Sequence, residues 1–198
     1  MHIINLFIKS LRPKNWLKNV FVFVPLVFST QLFNMDKAIV TLIVFMAFCL
    51  VSSAVYVFND ICDADKDVVH PEKCHRPIAS GMINKKHATV YVVLLAFSGL
   101  WVAFTANPTV CLFAVTYLVV NLFYTLVLKH RPVFDCFCIA LGFVLRTFAG
   151  GFACGEYVSD WLFLTIVAMS LFMSFGKRLG ELLKVDPSNQ RAVLAHYN

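Results

Sequence analysis

Charged residues are scarce in this chain. Lys, Arg, Asp and Glu make up 14% of its 198 residues, against about 25% in soluble globular proteins. Acidic residues number only 11, and no basic run is interleaved with aromatic side chains, although the formal net charge is +6. The composition therefore argues against a soluble enzyme and against a nucleic-acid-binding groove.

Metal-binding cysteine spacings are also missing. The closest two of the seven cysteines, Cys136 and Cys138, are separated by a single residue, and the others lie apart in apolar segments or in one polar loop. A cysteine in an apolar segment behaves as a small hydrophobic side chain. We predict structural roles for the cysteines and no disulfide or cysteine-ligated metal.

Apolar residues are abundant and occur in long blocks. They make up 60% of the chain, which contains 20 Phe and has a mean hydropathy of +0.76. A membrane-spanning helix needs about 20 such residues. The sequence predicts an all-α, polytopic transmembrane helix bundle forming a single domain over residues 1–198. We expect six spans, at about Val20–Leu32, Lys37–Phe58, His87–Ala106, Val110–Leu128, Phe134–Cys154 and Trp161–Phe175.

Lys and Arg residues alternate across these spans. Fifteen of them flank the spans on one side, whereas Lys37 alone lies on the other. By the positive-inside rule, the N-terminus, the loop after the second span and the C-terminus face the cytoplasm. We therefore predict an integral membrane protein whose N-terminus and active-site loops are cytoplasmic. The first span is short and is expected to be tilted or to include residues 15–19.

The segment from Asn59 to Gly81 concentrates the acidic residues of the chain at one membrane edge. On a helix with about 100° between residues, Asn59, Asp60, Asp63 and Asp67 share one face, and Asp65 points away. Neighbouring carboxylates repel one another, and a cation bound on this face would offset that repulsion. Magnesium carrying a diphosphate is commonly held by one or two carboxylates. We predict such a site, with a cytoplasmic loop at about residues 59–86.

Arg146 lies in the middle of an apolar span. An arginine there is costly unless it faces a cavity or has a partner. Two interpretations remain open: it binds a phosphate group, or it forms an ion pair with Asp135, Glu156 or an aspartate of the main loop. The neighbouring glycines, Gly150 and Gly151, are expected to permit close helix approach.

Several stretches resemble one family of membrane enzymes. NDICDADKD is similar to the first aspartate-rich motif, N-D-x-x-D-x-x-x-D, of the UbiA superfamily of intramembrane prenyltransferases. HPEKCHRPIASG, LRPKNWLKNVFVFVPLVFS, YTLVLKHRPVFD, GFVLRTFAGG and GKRLGEL are similar to the branch that transfers phosphoribose to polyprenyl phosphates. Members of the superfamily have about nine spans, so the resemblance implies that this chain is truncated at its C-terminus. Because that branch is bacterial, the resemblance also implies a bacterial cytoplasmic (inner) membrane.

The resemblance implies a chemistry and assigns residues to it. Asp60, Asp63 and Asp67, with Asn59, would hold Mg²⁺ on the diphosphate of phosphoribosyl diphosphate, which would react with a polyprenyl phosphate. Other residues would bind the lipid phosphate or the phosphates of the donor. These are Lys73, Arg76, Tyr124, Lys129, Arg146, Lys177 and Arg178.

Two alternatives remain open at the level of sequence. One is a prenyltransferase of the same fold that alkylates an aromatic or other acceptor. Such enzymes typically carry a second aspartate-rich motif, whereas this chain has GKRLGELLKV in that place. The other alternative is an inactive fragment of either enzyme.

Overall fold

The computed structural model describes residues 2–128 and 133–184, and their regular structure is helical. Two 3₁₀ helices, Pro13–Phe23 and Lys73–His75, accompany the α-helices. The α-helices are α1 (His2–Leu11), α2 (Val24–Phe28), α3 (Met35–Asp67), α4 (Lys85–Ala106), α5 (Pro108–Leu126), α6 (Phe134–Cys154) and α7 (Asp160–Lys184).

Five helices are long and apolar enough to cross a membrane, among the residues that the structure describes. They are α3, α4, α5, α6 and residues 160–180 of α7. This confirms the prediction of an all-α integral membrane protein, and the five helices coincide with the second to sixth predicted spans.

The first predicted span, Val20–Leu32, differs from the expected continuous α-helix. Its residues belong to the 3₁₀ helix Pro13–Phe23, to α2 and to the turn that follows. A 3₁₀ helix rises about 2.0 Å per residue, against about 1.5 Å in an α-helix. Residues 13–28 therefore cover about 30 Å, close to the hydrocarbon thickness of a bilayer. The helical segment includes residues 15–19, as expected for this short span.

Gly150 lets the 3₁₀ helix Pro13–Phe23 lie directly against α6. A Cβ atom at this position would be 1.8 Å from the carbonyl oxygen of Val22, which no real contact allows. At Gly151 it would be 2.9 Å from the carbonyl oxygen of Glu156. Both glycines therefore permit close backbone approach, as predicted from the sequence.

A small buried cluster holds the loop after α3 in place. Ile78 and Ile83 pack with Ala64 of α3 and Ala88 of α4, and these side chains are at most 5% exposed. Burying such side chains is favourable by about 25 cal/mol per Å². Because Ile78 and Ile83 anchor the loop, Arg76, which lies two residues before Ile78, is held beside the C-terminal end of α3.

Candidate active site

Two carboxylates lie buried on one face of α3, near its C-terminal end. Asp60 is 3% exposed and Asp67 is 4% exposed, whereas the Asp65 side chain is 89% exposed and pairs with Lys85 at 2.8 Å. Asp63 is half-buried. This confirms the predicted helix phase, with Asp65 on the opposite side from Asp60 and Asp67.

Arg76 joins the two buried carboxylates. Its Nη1 atom donates to Oδ1 of Asp60 at 3.0 Å and to Oδ2 of Asp67 at 2.6 Å. Since one nitrogen atom contacts both groups, the two carboxylates converge on a single point although seven positions separate them in the sequence. Charge-assisted bonds of this kind are about twice as strong as neutral ones.

Arg12 is a second cation at this point. Its Nη2 atom forms an ion pair with Oδ1 of Asp60, and its guanidinium lies 5.6 Å from the ring centroid of Tyr56. The backbone of Arg12 is left-handed, with φ 54°, where the chain turns from α1 into the 3₁₀ helix Pro13–Phe23. Such a conformation costs of order 1 kcal/mol, so the surrounding contacts hold Arg12 in this position.

Helix α5 approaches the same face of α3. The hydroxyl of Thr125 is within hydrogen-bond distance of Oδ1 of Asn59 and of the carbonyl oxygen of Asn121. Tyr124, one of the predicted substrate-binding residues, is half-buried next to Thr125. Thr125 thus engages the amide oxygen of Asn59, and the role of Asn59 at a metal site stays a prediction.

The donor set at this site fits a hard divalent cation. Within the described residues, no three His, Cys, Asp or Glu side chains already meet in a metal-binding group. Mg²⁺ does not need such a group, because it is usually held by one or two carboxylates together with substrate phosphates. Asp60 and Asp67 converge as that mode requires, with Asp63 and Asn59 one turn or less away.

Arg146 is buried in a network of neutral partners. It is 4% exposed. Its Nε donates to Oδ1 of Asn19 at 2.7 Å, its Nη1 to the carbonyl oxygen of Gly142 at 2.6 Å, and its Nη2 to the hydroxyl of Tyr117 at 2.9 Å. The guanidinium also lies 4.5 Å from the Tyr117 ring centroid. No carboxylate contacts Arg146 within the described residues.

The ion-pair interpretation of Arg146 is therefore wrong for the residues described. Glu156 pairs with Lys37, and Asp135 pairs with Arg178, whose Nε donates to Oδ2 of Asp135 at 2.6 Å. The Asp135–Arg178 pair ties the start of α6 to α7, with side chains 1% and 3% exposed. Arg178, expected among the phosphate-binding cations, is thus buried against a carboxylate. Its predicted substrate contact stays a prediction.

Lys18 precedes Asn19 in the 3₁₀ helix Pro13–Phe23. Its side chain is exposed, whereas the Asn19 side chain that contacts Arg146 is buried.

The remaining predicted residues lie at the same membrane edge or outside the description. Lys73 begins the 3₁₀ helix Lys73–His75 and is half-buried, and Lys177 is exposed on α7. Lys129 lies outside the described residues. Substrate binding by these lysines stays a prediction.

A comparison with protein-family models finds a match over residues 20–178 to the UbiA prenyltransferase family. This range covers most of the chain, including the buried carboxylates and Arg146. The chain belongs to the UbiA prenyltransferase family.

Similar curated members of the UbiA family share one name. The decaprenyl-phosphate phosphoribosyltransferase of Corynebacterium glutamicum is 40% identical over 180 residues, covering 89% of this chain and 54% of the relative. The protein of that name from Mycolicibacterium smegmatis is 36% identical over 179 residues, covering 88% of this chain and 56% of the relative. The chain thus spans a little over half the length of these relatives.

A solved structure shares the UbiA fold. A UbiA homolog from Archaeoglobus fulgidus, bound to GPP and Mg²⁺, superposes with a TM-score of 0.72 and 22% identity. The match covers 85% of this chain and 60% of that one. At this identity the similarity shows the fold alone.

Sequence reasoning missed the partners that organise this UbiA site. In the sequence, Arg12 is one of the fifteen Lys and Arg residues on the cytoplasmic side and has no assigned contact. It nevertheless lies in the stretch LRPKNW, which carries part of the resemblance. Asn19 and Tyr117 were not singled out, because each is an unremarkable polar residue near or within an apolar run. A buried Arg146 that needs acceptors was the signal that could have prompted a search for them.

Proposed function

We propose that this chain moves 5-phosphoribose from phosphoribosyl diphosphate to a polyprenyl phosphate, with release of diphosphate. The observation that carries the proposal is the 36–40% identity to decaprenyl-phosphate phosphoribosyltransferases along 88–89% of the chain. The convergent carboxylates of α3 support the proposal, because this chemistry needs groups that hold magnesium and diphosphate. The fold alone would equally suit transfer of a prenyl group.

The carboxylates and their neighbours have defined roles in this proposal. Asp60, Asp63 and Asp67, oriented with Asn59, bind Mg²⁺ together with the diphosphate of the donor. The ion supplies Lewis acidity that stabilises negative charge on the departing oxygens. Arg76 lies next to both buried carboxylates, where its planar guanidinium is able to hold phosphate oxygens in a bidentate contact. Lys73 precedes it and contributes a second cation.

The reaction exchanges one bond at C1 of the ribose for another. The bond from C1 to the diphosphate oxygen breaks, and both electrons leave with the diphosphate. The ribose carries oxocarbenium character at this stage, as in other glycosyl transfers. An ionised phosphate oxygen of the lipid then forms the new bond to C1, so no strong general base is required. The protein accelerates the step mainly by holding the two substrates in the correct orientation.

The proposed membrane orientation places this chemistry at the cytoplasmic face. The positive-inside rule puts the N-terminus and the loop after α3 in the cytoplasm, where a water-soluble sugar phosphate enters the site. The polyisoprenoid tail lies in the bilayer, and only its phosphate head reaches the carboxylates. We propose the bacterial cytoplasmic membrane as the location.

A label-transfer assay tests the proposal. Membranes containing the chain are incubated with phosphoribosyl diphosphate labelled in the ribose, polyprenyl phosphate and magnesium, and label entering the organic phase is counted. We expect magnesium-dependent, lipid-linked label that is lost in Asp63→Asn, because that variant removes a metal ligand and no apolar surface. Near-normal turnover in Asp63→Asn would contradict the metal assignment.

Product analysis separates the two UbiA chemistries. Label found on the lipid phosphate identifies phosphoribosyl transfer, whereas a prenylated acceptor formed from a prenyl diphosphate identifies the alternative. If the chain gives no label, the same assay on a version extended past Asn198 is decisive. Activity of the extended chain would show that the chain is a fragment of the enzyme. Absence of label with the extended chain as well would exclude the proposed substrates.

A further inference from the structure

A groove lies between α1 and the beginning of α4. It encloses about 480 Å³, within the range of about 300–1,000 Å³ that is common for small-molecule sites. Phe7 lines it from α1, and the wall from α4 consists of His87, Val90, Tyr91 and Leu94. These four residues are three or four positions apart and therefore share one helix face. The groove is lined by none of the described residues that are predicted to bind the substrates.

The walls of the groove are fixed by packing. The rings of Phe7 and Tyr91 meet edge to face, with centroids 4.9 Å apart and an interplanar angle of 79°. Ile83 also lines the groove and is 5% exposed. It belongs to the buried cluster against which Leu6 and Leu11 of α1 pack. The groove is therefore bounded by elements that hold one another in place.

The groove begins at the polar end of α4 and continues into the apolar part of this membrane-spanning helix. His87 and Leu94 are seven residues apart, which corresponds to about 10 Å along the helix axis. Val90 and Leu94 are 59% and 60% exposed. Because these side chains face outward from the bundle, an apolar chain in the bilayer has direct access to the groove.

A basic residue lies at the polar end of the groove. Lys86 directly precedes His87, and both side chains are exposed. Lys85 pairs with Asp65 at 2.8 Å, whereas Lys86 has no ion pair among the residues that the structure describes. Anionic lipids of the cytoplasmic leaflet attract lysines in such positions. An apolar groove with an unneutralised cation at its polar end matches an amphiphile with a negatively charged head.

We propose that this groove binds an acyl chain of an anionic membrane phospholipid. The lipid phosphate contacts Lys86 and His87, and the acyl chain lies along Val90 and Leu94 towards the bilayer. A free phosphate would leave the apolar wall uncovered, and a zwitterionic lipid would carry no net charge to offset that of Lys86. The inference does not depend on the proposed function, because the groove and the α3 carboxylates share no residue.

Native mass spectrometry of the purified chain, released from detergent micelles, tests this site. The micelles contain phosphatidylglycerol in one arm and phosphatidylcholine with the same acyl chains in the other. We expect one phosphatidylglycerol molecule to stay bound to the chain under conditions that remove phosphatidylcholine. The same spectra report whether the chain is a monomer or a dimer.

A matched pair of substitutions tests the apolar wall. In Val90→Trp the indole ring fills the groove, and we expect the retained phosphatidylglycerol to be lost. Val93→Trp places the same ring on the same helix, outside the groove, at a position that is 61% exposed. It should retain the lipid as the unmodified chain does.

A second pair tests the charge. Lys86→Gln is expected to weaken phosphatidylglycerol binding by about fivefold, the effect of one lysine beside an anionic surface. Lys66→Gln removes another exposed lysine, at the end of α3 and outside the groove, and should leave binding unchanged. If Val90→Trp fails to fold, this pair decides the outcome, because both lysines are exposed.

Three results would overturn the proposal. One is equal retention of the two lipids by the unmodified chain. Another is full retention of phosphatidylglycerol by Val90→Trp, or equal weakening by Lys86→Gln and Lys66→Gln. The third is a lipid-free dimer that is lost in Val90→Trp, which would identify a second copy of the chain as the occupant of the groove.

Discussion

At the scale of single residues, the carboxylates of α3 divide into two classes. Asp60 and Asp67 are buried and joined by Arg76, whereas Asp65 is exposed and paired with a surface lysine. Exposed ion pairs contribute about 0–1 kcal/mol. The contribution of each carboxylate in this segment therefore depends on the helix face on which it lies, and the number of carboxylates alone does not determine it.

Asp67→Asn and Asp65→Asn form a matched pair two residues apart. We expect Asp67→Asn to reduce kcat/KM for label transfer by about 100-fold or more, comparable to removing one preorganised electrostatic contact. Asp65→Asn should change it by no more than about fivefold, given the small energy of an exposed pair. Equal sensitivity of the two variants would contradict the role assigned to the buried face.

At the scale of helices, spacing in the sequence predicted α3 well and the first helical segment poorly. The apolar block that ends in NDICDADKD continues as one helix from Met35 to Asp67, so the phase calculated from about 100° per residue holds. The residues before it combine Pro13, Pro25 and a mixture of polar and apolar side chains. There a 3₁₀ helix packed against Gly150 replaces the expected α-helix, because tertiary contact decides the form of a short segment.

Long-range pairing explains the other differences. Arg12 and Asp60 are 48 positions apart, and Asp135 and Arg178 are 43 apart. Nothing in local spacing indicates that these residues meet. The sequence shows that a mid-span Arg146 needs acceptors, but Asp135 and Glu156 were equally plausible from the sequence alone. In the folded protein, the acceptors of its hydrogen bonds are neutral groups.

Gly150 is the helix contact that is most sensitive to substitution. In Gly150→Ala the added methyl would meet the Val22 backbone, so the 3₁₀ helix must move away from α6. We expect a loss of about 1–3 kcal/mol of stability, as for other overpacked positions, seen as a lower midpoint of thermal unfolding in detergent.

Gly176→Ala is the control for that substitution. A Cβ at Gly176 meets no atom within 4 Å, and Ala is favoured over Gly inside a helix by about 1 kcal/mol. The control should be as stable as the unmodified protein or slightly more stable. Equal destabilisation of the two variants would show that close packing at Gly150 is not the cause.

At the scale of the whole molecule, the two ends of the bundle carry different chemistry. One end has the α3 carboxylates with Arg12 and Arg76. At the other, Lys37 near the start of α3 pairs with Glu156 just after α6, so α3 and α6 run antiparallel. The distribution of Lys and Arg predicts that the carboxylate end is cytoplasmic.

Cysteine labelling tests this orientation. One variant retains only Cys62, which is exposed near the carboxylate end of α3. Another has no native cysteine and carries Tyr157→Cys, at a position 81% exposed after α6. A membrane-impermeant maleimide should label the second variant in intact cells and the first only in inverted vesicles. The reverse pattern would place the carboxylates outside the cytoplasm and contradict the proposed access of the donor.

The shared contact of Arg12 and Arg76 with Asp60 has a consequence for the order in which ligands arrive. A bare magnesium ion would compete with two guanidinium groups for the same carboxylate, and it has no atom that accepts their hydrogen bonds. Magnesium already complexed to a diphosphate brings oxygen atoms that accept hydrogen bonds from those guanidinium groups as they leave the carboxylate. Under the proposed function, we therefore expect metal and donor to bind as a single complex.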